Sequence, residues 1–397
     1  MPSSSRAALG TRRKVMTASP WMNWLKRYRV LVLAAALYFP LIFFGYGSDY
    51  DAHGVVWAGK HFIKTLDYVP SRSPGFLVHE TMTLILNTLG GSLLTNLGSL
   101  CMALVFLGSF LAVARRFQLE QAELLTLIMA VHPYTWVSAA STIDYFWALG
   151  FAFLGFYLLV DQRPLFAGIA LGLAVGSRIS TGLVIAAVLL FVFLTQRAQR
   201  KQAVGAGVAA ALVAVLCYLP TADFVEWSWR FLKPTVGDET FWSLPLRLGR
   251  FGYKNVIFWS LPGFLALVFV GAAALLRLVR RGKSLPNAAL GWLGVAGILA
   301  YEAFFFQIPT EISYLLPTLP FWMLLLGVTL THKRRWLLGL AALVFISNFV
   351  TVNVARPNVP NQATGAEYGL WVEPGHLVKD FTARQAKIGY EYPDPIP

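Results

Sequence analysis

Between Gly45 and Glu80 the chain reads GYGSDYDAHGVVWAGKHFIKTLDYVPSRSPGFLVHE, and acids, bases, histidines and tyrosines crowd into a sequence that is otherwise strongly apolar. Asp49 is the first acidic residue of the chain. Carboxylates spaced as Asp49-Tyr50-Asp51 can act as a general base, and the cations that follow, Lys60, Lys64 and Arg72, can hold an anion. Two residues apart, the aspartates share a face in an extended segment and diverge by about 200° in a helix, which leaves open which of them acts. The competing reading is that they cap the next helix or end a span at an interface. Arg72 stands in SRSPGFLVHE beside a Ser73-Pro74-Gly75 turn, whose backbone can approach a phosphate and which opens a helix at about Phe76. For Lys60 and Lys64, snorkelling to lipid headgroups is an equally good account.

Further chemistry-bearing residues lie far apart in sequence. Arg178 interrupts an apolar run, where an unpaired charge costs about 2.5–3.5 kcal/mol on insertion scales, so it must line a cavity or pair with an acid. Arg247, Arg250 and Lys254 form a later basic group. His53, His79-Glu80, Asp144-Tyr145, Glu311 and Tyr314 are supporting candidates; Glu80 is expected to hold Arg72 or Arg178, and Glu302 to balance a buried arginine. His132, before Pro133, reads as a helix-end residue without chemistry.

What must position these residues is a membrane protein. The 397 residues are 57% hydrophobic and only 13% charged, with apolar runs recurring along the chain, which excludes a soluble globular domain. The net charge of +14 would suit nucleic acid, but the basic residues sit in short clusters between apolar runs, as the positive-inside rule predicts. Cys101 and Cys217 both lie inside apolar segments and read as buried hydrophobes. Residues 1–29 are basic with no acid and are expected in the cytoplasm, so the first apolar segment, 30–46, is a signal anchor and the carboxyl end lies outside. The pattern predicts an all-α polytopic protein of about 11 spans over residues 30–352. Its outer loops would be 47–80, with interfacial helices, and 220–255, which holds Trp227, Trp229 and Trp242. Two short spans are expected to meet at Ser177-Arg178, and 336–352 reads as the last span. Residues 353–397, polar and proline-rich, form an outer tail or small cap.

The acidic motif after the first span, the long amphipathic outer loop and the late segment PTEISYLLPTLP together resemble the polytopic glycosyltransferases of the GT-C fold, which include protein mannosyltransferases and the aminoarabinose transferase of lipid A. GIALGLAVGSRISTGLVIAAVLLF is similar to their broken mid-chain hairpin. The mannosyltransferases carry an acidic pair where this chain has split acids. The resemblance implies an inverting transfer of a sugar from a polyprenyl-phosphate carrier to a glycan, lipid or protein acceptor on the outer side of the membrane, and the lack of an N-x-S/T sequon suits a bacterial inner membrane, whose outer side is the periplasm. On that reading Asp49 or Asp51 is the base, and Arg72, Arg178, Lys60, Lys64, Arg247 and Arg250 bind the carrier phosphate. The family includes metal-free members and members that use a divalent cation such as Mg²⁺ or Mn²⁺, whose first ligands here would be Asp49, Asp51 and His53. Membrane lipids are the remaining partners, and nucleic acid is not one.

Two other classes share this composition. A flippase or secondary transporter would show paired broken helices in related halves and polar residues at midplane, whereas this chain gathers its acids and bases at one face and shows no internal repeat. A non-catalytic membrane subunit would tolerate amides at Asp49 and Asp51.

Overall fold

The computed structural model describes residues 20–72, 74–221, 243–357 and 366–386. Trp227, Trp229 and Trp242, most of the expected second outer loop, and the last residues of the tail lie outside the described residues. The chain is mainly helical. Helices α1 (Pro20–Tyr38), α2 (Tyr50–Thr65) and α3 (Leu77–Arg116) bracket the acidic motif. Then come α4 (Ala122–Ala130), α5 (Pro133–Ala139), α6 (Tyr145–Val160), α7 (Pro164–Ser177), α8 (Gly182–Thr195) and α9 (Arg200–Tyr218). Helices α10 (Leu244–Trp259), α11 (Leu261–Arg281), α12 (Ala288–Gln307), α13 (Thr318–Thr329) and α14 (Arg334–Ile346) complete the bundle.

Among the described residues five helices are long and apolar enough to cross a membrane: Leu77–Arg116, Arg197–Thr221, Leu261–Ser284, Ala288–Gln307 and Ile312–Thr329. Shorter apolar helices cover Tyr145–Val160, Pro164–Ser177 and Ile179–Thr195, so the expected count of 11 spans is not reproduced. The expected apolar hairpin does break at Arg178, which has extended backbone between α7 and α8. The 40 residues of α3 are interrupted at Gly90-Gly91, where φ and ψ leave the helical region and Gly91 has φ +59. Glycine takes up this positive φ at no steric cost.

Residues 244–255 of the expected second outer loop are helical and form the first turns of α10, with Pro245 in the first turn, where its missing N–H costs nothing. Two expectations need correction. The last span ends early: α14 stops at Ile346, and the alternating VTVNVARP forms strand β1 (Val350–Pro357), antiparallel to β2 (Ala366–Pro374). This hairpin and helix α15 (His376–Ala386) form the carboxyl-terminal part, so the fold is not purely helical.

The core is one apolar cluster running through α3, α4, α6, α7, α12 and α13, with Phe106, Phe146, Phe153, Phe156 and Phe321 fully buried. Helix α7 packs closely on α9. Cβ atoms at Gly168, Gly172 and Gly176 would lie 2.5 Å from Ala209 Cβ, 2.4 Å from Val213 Cβ and 2.6 Å from Cys217 Sγ. Only glycine permits this approach, as in other helix pairs that associate through small residues in lipid.

Candidate functional site

Asp49 has extended backbone and caps α2, its Oδ1 accepting the Asp51 N–H at 3.0 Å. Asp51 is in the first helical turn, where a carboxylate also favours the positive end of the helix dipole. The cap geometry is neither of the two regular alternatives, and it lets both side chains meet a third. Carboxylate oxygens of Asp49, Asp51 and Glu311 lie within 4.8 Å of one another. Glu311 comes from the turn before α13 and accepts the Tyr145 hydroxyl at 3.0 Å.

Behind these acids runs a chain of buried charge. Arg72 pairs with Asp51 through one nitrogen and with Asp144 Oδ1 through the other at 3.1 Å. The remaining Asp144 oxygen accepts Arg178 Nη1 at 2.7 Å. Arg178 is further sandwiched by the Tyr145 and Tyr314 rings, 4.3 and 4.8 Å from its guanidinium carbon, and Arg72 lies 4.5 Å from the Phe76 ring centre. Two arginines and two aspartates thus neutralise each other, which is how a buried guanidinium is tolerated.

Glu80 does not reach either arginine. It accepts from Tyr68 Oη, from Ser71 N at 2.9 Å and from Ser71 Oγ at 2.5 Å, so it fixes the loop that delivers Arg72. His79 is buried with its ring against Trp147 and Thr83 3.3 Å from Nε2; His53 lies edge-on to Tyr46. Neither belongs to the carboxylate cluster. Lys60 and Lys64 are exposed, about 13 and 20 Å further along α2 from Asp51 at helical rise, so they lie away from it. Arg250 and Lys254 are buried on α10, and Lys254 donates to the Thr310 carbonyl, next to Glu311. Arg247 reaches Gln307 at 3.2 Å, and Glu302 is held by Asn255 Nδ2 at 3.1 Å instead of by an arginine.

The protonation pattern follows from burial and neighbours. Burial raises Asp51, with Arg72 opposing. Burial works to raise Asp144 too, but Arg178 and Arg72 hold it well below the usual carboxylate range. Burial, then Asp51 and Asp49, push Glu311 up to about 7. Burial and then Arg250 bring Lys254 down to about 8, the signature of a cation short of counter-charge.

The fold has counterparts among solved structures. The crystal structure of ArnT from Cupriavidus metallidurans bound to undecaprenyl phosphate is similar at a TM-score of 0.56 and 16% identity, covering 82% of this chain and 64% of that one. The apo form of that protein is similar at a TM-score of 0.54 and 17% identity, covering 81% and 63%. The chain has a GT-C-type fold. It spans somewhat under two thirds of the solved chains it matches. No protein-family model matches the sequence, and no curated protein is similar to it.

In this GT-C-type bundle Asp49, Asp51, Asp144 and Glu311 converge, as do Arg72, Arg178, Tyr145 and Tyr314, whereas Glu80 and Glu302 serve other partners. Asp144 was underrated: it is the hub that both arginines share, and only the meeting of two distant segments reveals it. Asn96 was missed as a positioning residue. Its Nδ2 donates to Gly45 O at 2.6 Å and Ile42 O at 3.0 Å, and its Oδ1 accepts Thr142 Oγ1 at 2.9 Å, joining the approach to Asp49 to the approach to Asp144. An asparagine inside an apolar helix was the available signal.

Proposed function

We propose that the protein is an inverting glycosyltransferase that moves a sugar from a polyprenyl-phosphate carrier to an acceptor hydroxyl or similar nucleophile on the periplasmic side of a bacterial inner membrane. The observation that carries this reading is the meeting of Asp49, Asp51 and Glu311 beside Arg72 and Lys254 in a GT-C-type fold.

Phosphate is a good leaving group, so the reaction needs a base for the acceptor and positive charge for the departing phosphate. Asp49 is the base: Asp51 is bound by Arg72, whereas Asp49 gives one oxygen to a neutral backbone amide. Asp49 takes the acceptor proton as the acceptor oxygen bonds to the anomeric carbon, and the bond from that carbon to the phosphate oxygen breaks on the opposite side. The electron pair leaves with the phosphate, towards Arg72, Arg250 and Lys254. Arg72 suits this role because its Nε is a buried donor with no hydrogen-bond partner among the described residues. Arg178, fully engaged with Asp144, acts by holding that aspartate and through it Arg72. Asp49, Asp51 and Glu311 form an all-oxygen set that fits a hard divalent cation such as Mg²⁺ or Mn²⁺, which would add positive charge beside the leaving phosphate.

The test is transfer from radiolabelled polyprenyl-phosphate sugars in membranes holding matched amounts of wild type, Asp49→Asn or Asp51→Asn. Wild type transfers label, and Asp49→Asn lowers the rate by about 100-fold or more while retaining lipid-sugar binding. Transfer from no donor, or two fully active variants, overturns the reading and makes transport of a lipid-linked substrate the better one.

A further inference from the structure

The two segments that deliver the site's acids, Leu41–Asp49 and Val137–Asp144, meet along a seam. The Thr142 N–H donates to the Tyr46 carbonyl at 2.7 Å. Gly47, at φ +132, lies so close to Ser141 that a Cβ there would come 3.1 Å from Ser141 Cβ. Asn96 joins the seam from inside the bundle. From the other side comes a residue that nothing in the acidic motif announces.

Arg384 of α15 is buried among acceptors from both segments. Its Nη1 donates to Ala140 O at 2.8 Å and to Leu41 O at 3.5 Å, and its Nη2 to Ser141 Oγ at 2.5 Å and to Val137 O at 3.4 Å. Its Nε donates to Asp380 Oδ2 at 2.7 Å, one helical turn earlier, and both side chains are wholly excluded from solvent. The second oxygen of Asp380 accepts Ser48 Oγ at 2.5 Å. Ser48 is the residue before Asp49. Phe381, between the two charges, packs edge-on against Phe44 with ring centres 4.9 Å apart.

We infer that Asp380 and Arg384 are positioning residues for the reaction proposed above: the carboxyl-terminal helix latches the backbone that carries Asp49 to the backbone that carries Asp144. Five donors in a rigid fork make arginine the residue suited to grip several carbonyls at once, and lysine, with a single ammonium on a flexible stem, can satisfy only some of them. The pair touches no candidate reacting atom. Its contribution is the distance between the base and the arginine chain, where misplacement by about 1 Å costs on the order of 100-fold in rate. An acid and a base four apart on a solvated tail helix would only decorate its surface. Here they are buried and turned into the bundle.

The inference rests on the glycosyltransferase reading, so the experiment has one arm that needs activity and one that does not. In full-length detergent-purified protein, hydrogen exchange is compared between wild type, Arg384→Lys and Arg384→Ala. Arg384→Ala should speed exchange at least about tenfold in peptides covering 41–56 and 137–145, leaving α6 to α9 as in wild type, with Arg384→Lys in between. In the transfer assay, Arg384→Ala should lower kcat by about 10- to 100-fold with KM changed less than about threefold, and Arg384→Lys should recover part of the loss. Unchanged exchange in both segments, or loosening of α6 to α9 to the same degree, overturns the latch. So does a pure KM effect. If wild type transfers no sugar, the functional reading fails, and the exchange arm still decides whether Arg384 holds the two segments together.

Discussion

Twice among the described residues two arginines share one carboxylate, and the two places differ in their access to water. At the candidate site Arg72 and Arg178 share Asp144, whose side chain is 0% exposed. Arg115, at the far end of α3, and Arg29 share Glu123, with Arg29 74% and Glu123 33% exposed, on the wall of an open crevice of about 710 Å³. The bond lengths are alike, 2.7 and 3.1 Å at one and 2.6 and 3.1 Å at the other. What differs is the alternative open to each charge when a partner is lost. Near Glu123 water replaces the partner; near Asp144 nothing does. The same residue types are therefore adjustable decoration at one end and an obligatory framework at the other.

The largest effect expected from breaking this contrast is that of Asp144→Asn. It strands the buried guanidinium of Arg178, leaves Arg72 with Asp51 alone, and should destabilise the fold by about 3–5 kcal/mol, read as loss of monodisperse protein on heating in detergent, with transfer activity lost as well. Near-normal stability would mean that the buried chain is wetter than its geometry implies.

An intermediate effect sharpens the contrast through protons. Glu311 is held near pH 7 by burial and by Asp51 and Asp49, so it is largely protonated below that pH and ionised above it. Calorimetric titration with Mn²⁺ should show affinity rising about tenfold per pH unit up to about 7 and levelling above, because cation and proton compete for one carboxylate. Glu311→Gln should flatten that profile. A profile unchanged by Glu311→Gln removes Glu311 from any cation site.

The smallest effect is Glu123→Gln. It should cost less than about 1 kcal/mol and become undetectable in high salt, since screening acts on exposed pairs. A loss as large as that of Asp144→Asn would erase the distinction.

Sequence reading went furthest where one residue's surroundings decide its fate. Arg178 had to find an acid because it broke an apolar run, and Asp49 and Asp51 stood out as the first acids after one. It failed where role depends on meeting. Asp144 looks like any span-end acid until Arg72 and Arg178 arrive from separate segments, and Glu80 serves Ser71 and Tyr68, not the arginines nearby. The fold was legible in its membrane character, its GT-C-type resemblance and its break at Arg178. The end of the last span was not, because Val350, Val352 and Val354 continue an apolar run in composition while changing its period from helical to two. Asp380 and Arg384 lie in a stretch whose polarity reads as tail, and the depth to which α15 is buried has no signature in its own residues.

The glycine stripe of α7 has a mechanical consequence. With Gly168, Gly172 and Gly176 pressed against α9, the pair cannot slide or separate without opening voids that no side chain is there to fill. Arg178 follows directly from the end of this strut. Asp51 and Arg72 come from the first turn of α2 and from the loop that Glu80 fixes. Arg178 thus stands on a stiff strut and, through Asp144, sets where Arg72 and Asp51 are held.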